Sequence, residues 1–205
     1  MTIQVKGLRK KYFNKEAVKG VNFTIEQESI IGLLGRNGAG KSTVLNMIAR
    51  RIEKTSGDIT LDGVDLHKTP RAMHQVYLSS TENWFPKEYK FKDLLSIYKR
   101  TYPEFDSEFA EDLIKVFGVN VKERFSKAST GYQSIMKIIL ALCNPSEYIF
   151  MDEPVLGLDA NHRHIFNKKL LEAYARNPRT FVIATHLIEE VASILEKVIV
   201  IKDGV

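Results

Sequence analysis

Apolar residues follow two rhythms along this chain. Runs at 30–34, 148–151, 181–184 and 198–201 lack the alternation of half-exposed strands, as expected where helices cover both faces of a parallel sheet. Residues 2–6 and 21–25 do alternate, which predicts short strands with one covered face. Ser56 to Leu66 reads as a hairpin turning at Asp62-Gly63, so these segments together predict an antiparallel edge layer. Between about 80 and 146 the spacing becomes helical, with Leu94, Leu95, Ile97 and Tyr98, then Phe109, Leu113, Ile114, Val116 and Phe117. The expected fold is therefore α/β, with a mainly parallel sheet, the antiparallel layer and an inserted α-helical subdomain. A single domain over 1–205 is expected, its core formed by 1–79 and 147–205 and its helical subdomain by 80–146. The helical region holds Trp84, Phe85, Tyr89, Phe91, Tyr98, Tyr102 and Phe105. Core packing is the default reading of such residues, and an exposed docking groove is the alternative.

Composition alters this picture little. The 205 residues are 44% hydrophobic, enough for a sizeable core. Thirty basic against 25 acidic residues give +5, a mild excess that suits polyphosphate ligands or an anionic membrane surface without demanding nucleic acid. Ordinary solvated faces account for it equally well. Cys143 is alone, so no disulfide framework can form and a reducing, cytoplasmic setting is expected. Met1 to Gly7 lacks the basic-then-apolar order of a signal peptide. Apolar runs such as Ile138 to Cys143 fall far short of the ~20 residues needed to span a bilayer, so any membrane pore must come from another chain. The last residues, Lys202 to Val205, follow directly on an apolar strand, and a native chain longer than this one is expected.

The chemistry centres on Gly35 to Thr43, which fits G-x-x-x-x-G-K-[ST] at Gly35, Gly40, Lys41 and Ser42. An apolar run, Ser29 to Leu34, precedes it and a helical pattern from Thr43 follows, so strand, loop and helix stand in the order that a phosphate-binding loop requires. Glycines let backbone N–H groups approach phosphate oxygens, a helix N-terminus adds positive dipole, and Lys41 reaches the outer phosphates. Gly35, Asn37, Gly38, Ala39, Gly40, Lys41, Ser42 and Thr43 form the expected nucleotide-binding set, with the Ser42 hydroxyl as a Mg²⁺ ligand. Phosphoryl transfer also needs a metal-binding carboxylate and a means of activating water. Glu147 to Pro154 supplies Asp152 at the end of an apolar strand, expected to anchor Mg²⁺, and Glu153 beside it, expected to orient or deprotonate the attacking water.

Four elements then occur in one order: Gly35 to Thr43, Tyr148 to Pro154, Gly157-Leu158-Asp159-Ala160, and Ala184-Thr185-His186. Together they resemble the ATPase subunit of an ATP-binding cassette (ABC) transporter, a P-loop NTPase, from about residue 2 to residue 205. The resemblance implies that Tyr12 stacks on adenine, that Asp159 bridges two nucleotide sites across a dimer, and that His186 contacts the γ-phosphate. It implies ATP and Mg²⁺ as ligands, and catalytic roles for Lys41, Glu153 and His186. The implied partners are a second ABC ATPase subunit, the same or related, and an integral membrane permease subunit, with no specific nucleic acid. The implied location is the cytoplasmic face of the cell membrane. His162 and His164, without further ligands, read as surface residues.

Two segments depart from that family's pattern. Where the family has L-S-G-G-Q, this chain has Ala128-Ser129-Thr130-Gly131-Tyr132. Ser129 and Gly131 remain at a helix N-terminus, expected to meet the γ-phosphate of the opposing subunit's ATP, while Thr130 adds a side chain where the backbone should approach closely. Where the family has a glutamine, ungapped alignment gives Ser80, and Glu82 two residues on is the candidate to reach Mg²⁺ or its water. These departures resemble bacterial export cassettes more than nutrient importers. The Trp84 and Phe85 region is the candidate contact to a membrane subunit. The alternatives are a soluble ABC-type ATPase acting on ribosomes or DNA, a regulatory cassette with weak hydrolysis, and a small-molecule kinase. The kinase would share the phosphate loop but has no reason to carry the later elements.

Overall fold

In the computed structural model, which describes residues 1–205, the first two strands outrun their sequence patterns. Strand β1 spans Thr2–Tyr12 and β2 spans Lys15–Glu26. Their inward positions are Ile3, Val5 and Leu8 on β1, and Val18, Val21 and Ile25 on β2. Strict alternation breaks between Val5 and Leu8, where the register shifts. Gly7 sits there at φ 57 and donates its N–H to Asn22 Oδ1 at 2.8 Å. A bulge of this kind re-aims the following side chains without ending the strand, which is why the period-2 pattern is lost after residue 6.

The remaining elements are β3 (Ile30–Leu34), α1 (Lys41–Ile48), β4 (Ser56–Leu61), β5 (Val64–Asp65), α2 (Pro70–Met73), β6 (Val76–Ser79), α3 (Phe91–Thr101), α4 (Ser107–Val116), α5 (Thr130–Leu142), β7 (Tyr148–Asp152), α6 (Ala160–Arg176), β8 (Thr180–Thr185) and β9 (Lys197–Val200). The chain divides into two compact units.

The first unit comprises 1–78, 146–152 and 179–205. It contains a four-stranded sheet in the order β2-β1-β4-β5 and a five-stranded sheet in the order β6-β7-β8-β3-β9. The first is antiparallel, and β4 and β5 are joined by a turn at Asp62 (φ 49) and Gly63 (φ 80). In the second, β7–β8, β8–β3 and β3–β9 pair in parallel. Ile3, Val5, Ile25, Val44, Met47, Phe150 and Val182 share one apolar cluster that joins both sheets and α1. Each such side chain contributes roughly 1.5–3 kcal/mol on burial. One strand here has no counterpart in the sequence pattern, and one reading of the sequence is corrected. Val76 to Ser79 forms a strand, with Tyr77 and Leu78 buried. The run at 198–201 is not covered on both faces, because β9 closes the sheet at its edge and leaves Val198 52% and Val200 67% exposed.

The second unit comprises 79–145 and 153–178 and is helical. Its longest buried stretch is on α5, where Ile135, Met136 and Ile138 to Leu142 are all enclosed. Phe91 and Leu94 of α3, Phe109 and Leu113 of α4, and Phe166, Leu170 and Ala173 of α6 are buried as well. Three N-cap side chains accept first-turn amides: Asp106 takes the Phe109 N–H at 2.9 Å, Ser129 that of Tyr132 at 3.3 Å, and Asp159 that of His162 at 2.8 Å, while at α3 Asp93 takes the Lys90 N–H at 2.9 Å. Of the seven aromatics from Trp84 to Phe105, two are buried, three half-buried and two, Trp84 and Tyr89, exposed. Phe91 and Phe105 are buried, and Phe85 meets Phe125 edge to face at 4.9 Å. Trp84 is 69% exposed.

Candidate functional site

The Gly35–Gly40 loop is clamped by backbone from the rest of its unit. A Cβ on Gly35 would fall 2.3 Å from the Ile201 carbonyl oxygen, and one on Gly40 2.9 Å from that of Ala17. Gly40 is also the N-cap of α1, at φ 107. Gly38, at φ 81, has open space where a Cβ would be. Glycine is thus required at 35 and 40 for close approach of the chain to itself, and at 38 for its backbone angle. The turn Lys202–Val205 braces the loop further. Gly204 donates to the Ala39 carbonyl at 3.1 Å and accepts from Lys19 N–H at 2.7 Å. No side chain caps α1, so its first-turn amides are presented by the loop alone, the arrangement that binds phosphate. Lys41 is buried, and its ammonium donates to the carbonyls of Gly35 at 2.6 Å and Arg36 at 3.4 Å, which holds it at the loop.

Asp152 ends β7 and is buried. Helix α1, which begins Lys41-Ser42-Thr43, packs against β7. Ser42 is exposed at that helix start. A serine hydroxyl and one carboxylate are hard oxygen donors, the set that suits a Mg²⁺ ion completed by phosphate and water rather than a closed protein cage. Glu153 follows at φ 50. For a residue with a Cβ this left-handed conformation costs about 1–3 kcal/mol, and such strain concentrates at functional positions.

His186 follows β8, where the Leu187 N–H donates to Thr185 Oγ1 at 3.0 Å and turns the chain at the strand's C-terminal edge. His186 and Gly35 to Ala39 line one cavity of about 760 Å³, together with Ile188, Val200, Ile201 and Asp203. That volume is within the usual range for small-molecule sites. Tyr12 does not line it. Its exposed ring lies at the end of β1 with the Lys10 ammonium 4.9 Å from its centroid.

The other sequence-derived residues belong to the helical unit. Ser129 is the N-cap of α5. Gly131 lies in its first turn, where a Cβ would meet the Gly157 carbonyl oxygen at 2.3 Å, so these two backbones touch and neither residue leaves room for a side chain. Asp159 caps α6 and also holds His162 Nδ1 at 2.9 Å. The His162 N–H first, and its ring second, hold the Asp159 carboxyl below the usual carboxylate range. Ser80 is buried and its hydroxyl turns to the Glu82 carbonyl at 3.4 Å, while the Glu82 side chain is exposed.

Three features were missed in the sequence: the brace at Lys202–Val205, the Thr185 turn and Lys137, whose ammonium meets the carbonyls of Ser80, Thr81 and Glu82. Only the first left a signal, the Asp203-Gly204 turn dipeptide.

Comparison with known proteins agrees with this geometry. The sequence model of the ABC transporter family matches residues 18–156. Among curated proteins, the chain is 30% identical over 202 residues to the ABC transporter ATP-binding protein YtrB of Bacillus subtilis, covering 98% of this chain and 69% of that protein. It is 34% identical over 196 residues to the ABC transporter ATP-binding protein NatA of the same organism, covering 92% and 79%. Among solved structures, an ATP-binding subunit of an ABC transporter superposes with a TM-score of 0.85 at 22% identity, covering all of this chain and 87% of the other. A putative ABC transporter ATP-binding protein from Pyrococcus furiosus gives 0.78 at 20% identity, covering 98% of each.

Proposed function

Since the chain belongs to the ABC transporter family, as an ATP-binding subunit that hydrolyses ATP, we propose that two such cassettes close face to face around two ATP–Mg²⁺ and drive a separate membrane subunit. The observation that carries this reading is the buried carboxylate of Asp152 on β7, the strand against which α1 packs, followed at once by strained Glu153. The α1 amides and Lys41 take the phosphates. Ser42 and Asp152 would hold Mg²⁺, which would neutralise negative charge on the phosphates. Glu153 orients the attacking water and accepts its proton, and His186, on the cavity wall beside the loop, contacts the γ-phosphate. Asn37, Gly38 and Ala39 contribute loop amides, and Thr43 the next turn of the helix. In the partner subunit, Ser129 and Gly131 complete the second half of each site, and Asp159 approaches the dimer seam.

No helix is long and apolar enough to cross a membrane, so the coupling proposed is to a separate permease, with the exposed ring of Trp84 at the contact and the cassette on the cytoplasmic face. Glu82 is proposed to reach Mg²⁺ or its water, and Tyr12 to stack on adenine. Export is the proposed direction, resting on the divergent segments at 76–82 and 128–132. One similar protein is named as a ribose import ATP-binding protein, so vesicle transport of known orientation is the measurement for direction.

The central test is Glu153→Gln. It should leave ATP binding intact and slow hydrolysis by about 100-fold or more, since general-base assistance is worth roughly 10²–10⁴. Turnover at the parent rate would remove Glu153 from its role. The same protein bound to Mg-ATP should sediment as a dimer, and a persistent monomer at saturating nucleotide would sink the two-cassette arrangement.

A further inference from the structure

Helix α5 carries, two turns beyond its Ser129 cap, a lysine that the ATPase reading does not use. The Lys137 ammonium donates to three successive main-chain carbonyls, Ser80 at 2.8 Å, Thr81 at 2.9 Å and Glu82 at 3.1 Å. An ammonium has three N–H donors and these are three acceptors, so a single point charge organises one turn of loop. The Phe125 ring lies 6.0 Å from the same nitrogen. Phe125 is fully buried and packs against Phe85, which follows the loop by three residues. Ser80 itself is buried and its hydroxyl faces the Glu82 carbonyl. The loop therefore has its main-chain carbonyls turned towards α5, while the Thr81 and Glu82 side chains are exposed.

Along a helix, eight residues span roughly 12 Å, and between Ser129 and Lys137 the helix is continuous. From Ile135 onward it is enclosed on nearly every side, with Lys137 itself the half-buried exception. A segment packed in this way shifts as a rod. We propose that Lys137 is a positioning residue of the ATPase reaction: by gathering the 80–82 carbonyls it makes that loop and the Ser129–Gly131 start of α5 move as one piece. This rests on the ATPase reading of Ser129 and Gly131. The choice of lysine follows from its geometry. Arginine spreads its donors over a planar fork and cannot aim three N–H bonds from one atom, while methionine has the length and no donor.

The test compares the parent chain with Lys137→Met and Lys137→Arg by steady-state ATPase kinetics and by amide hydrogen exchange without nucleotide. Loss of the clamp should lower kcat by about 10- to 100-fold, since misplacement of a site by about 1 Å can cost roughly 10²-fold, with KM for ATP changed less than about twofold. Exchange should quicken together at 80–83 and in the first turn of α5, with arginine intermediate in both readouts. Should Lys137→Met not fold, the arginine variant alone supplies both readings. Faster exchange at 80–83 alone, or an unchanged kcat with both segments loosened, overturns the proposal. A parent chain that hydrolyses no ATP would instead fail the ATPase reading, and the exchange pattern would still decide whether loop and helix start are joined.

Discussion

Two helix starts meet phosphate in the proposed mechanism, and they are built in opposite ways. At α1 the cap is a glycine in the left-handed region, no side chain takes the first amides, and backbone at Ala17, Ile201 and Gly204 presses on the loop from its own unit. At α5 the cap is Ser129, which already accepts the Tyr132 N–H, and the neighbouring 80–82 loop is gathered by one lysine. The first is shaped by main chain and has almost no tolerance for a Cβ. The second is shaped mainly by side chains, Gly131 against Gly157 excepted, and this is where the sequence departs from the family pattern. Where side chains set the geometry, other side chains can replace them. Where backbone contacts set it, the glycines cannot change.

Substitutions that treat the two starts alike should separate them. The largest effect is expected at Gly40→Ala, which forces a Cβ onto φ 107 and to within 2.9 Å of the Ala17 carbonyl. The strain and the clash should together cost about 3 kcal/mol. Urea unfolding and nucleotide titration check this, and a near-parent midpoint with intact binding would mean that the loop is less constrained than α5. Ser129→Ala should cost about 1 kcal/mol, the usual value of a helix cap, and lower ATP turnover while leaving the affinity of the parent loop unchanged. A loss as large as that at Gly40 would erase the contrast between the two starts.

The smallest effect concerns Asp159. Its carboxyl is held below the ordinary value of 3.8 by the His162 N–H and ring. A depressed carboxylate contributes stability that is present above the unfolded value and lost as pH falls through the lower folded one. The α6 cap should therefore stay intact at pH 5 and loosen only below about pH 3.8. Exchange at the His162 amide followed against pH measures this, and Asp159→Asn should flatten the profile. Loosening that begins well above pH 5 would remove the Asp159 carboxyl from this role.

Much of the site was legible because its signals are local. Gly35 to Thr43 and Tyr148 to Glu153 announce strand, loop and helix within a dozen residues, and the apolar runs at 30–34, 148–151 and 181–184 correspond to β3, β7 and β8. The misses have equally plain causes. Strand β1 was cut short because the bulge at Gly7 shifts its inward period from two to three, and β2 because its inward positions step by three from Val18 to Val21. Val76 to Ser79 is too short to show alternation. Val198 and Val200 look like core because edge and centre strands share a composition, and only pairing order places β9 outermost.

The chain's own pattern determined the α/β class, the strand, loop and helix around Gly35 to Thr43, and the strand that ends at Asp152, since backbone periodicity and glycine chemistry act over neighbouring residues. Tertiary structure alone decided the strand order β6-β7-β8-β3-β9, the membership of 153–178 in the helical unit, and the meeting of Lys137 with carbonyls more than 50 residues away. A lysine flanked by apolar residues on a helix reads as a solvated charge. Carbonyl oxygens occur at every residue and leave no mark in a sequence, so their convergence on that ammonium exists only once the chain has folded.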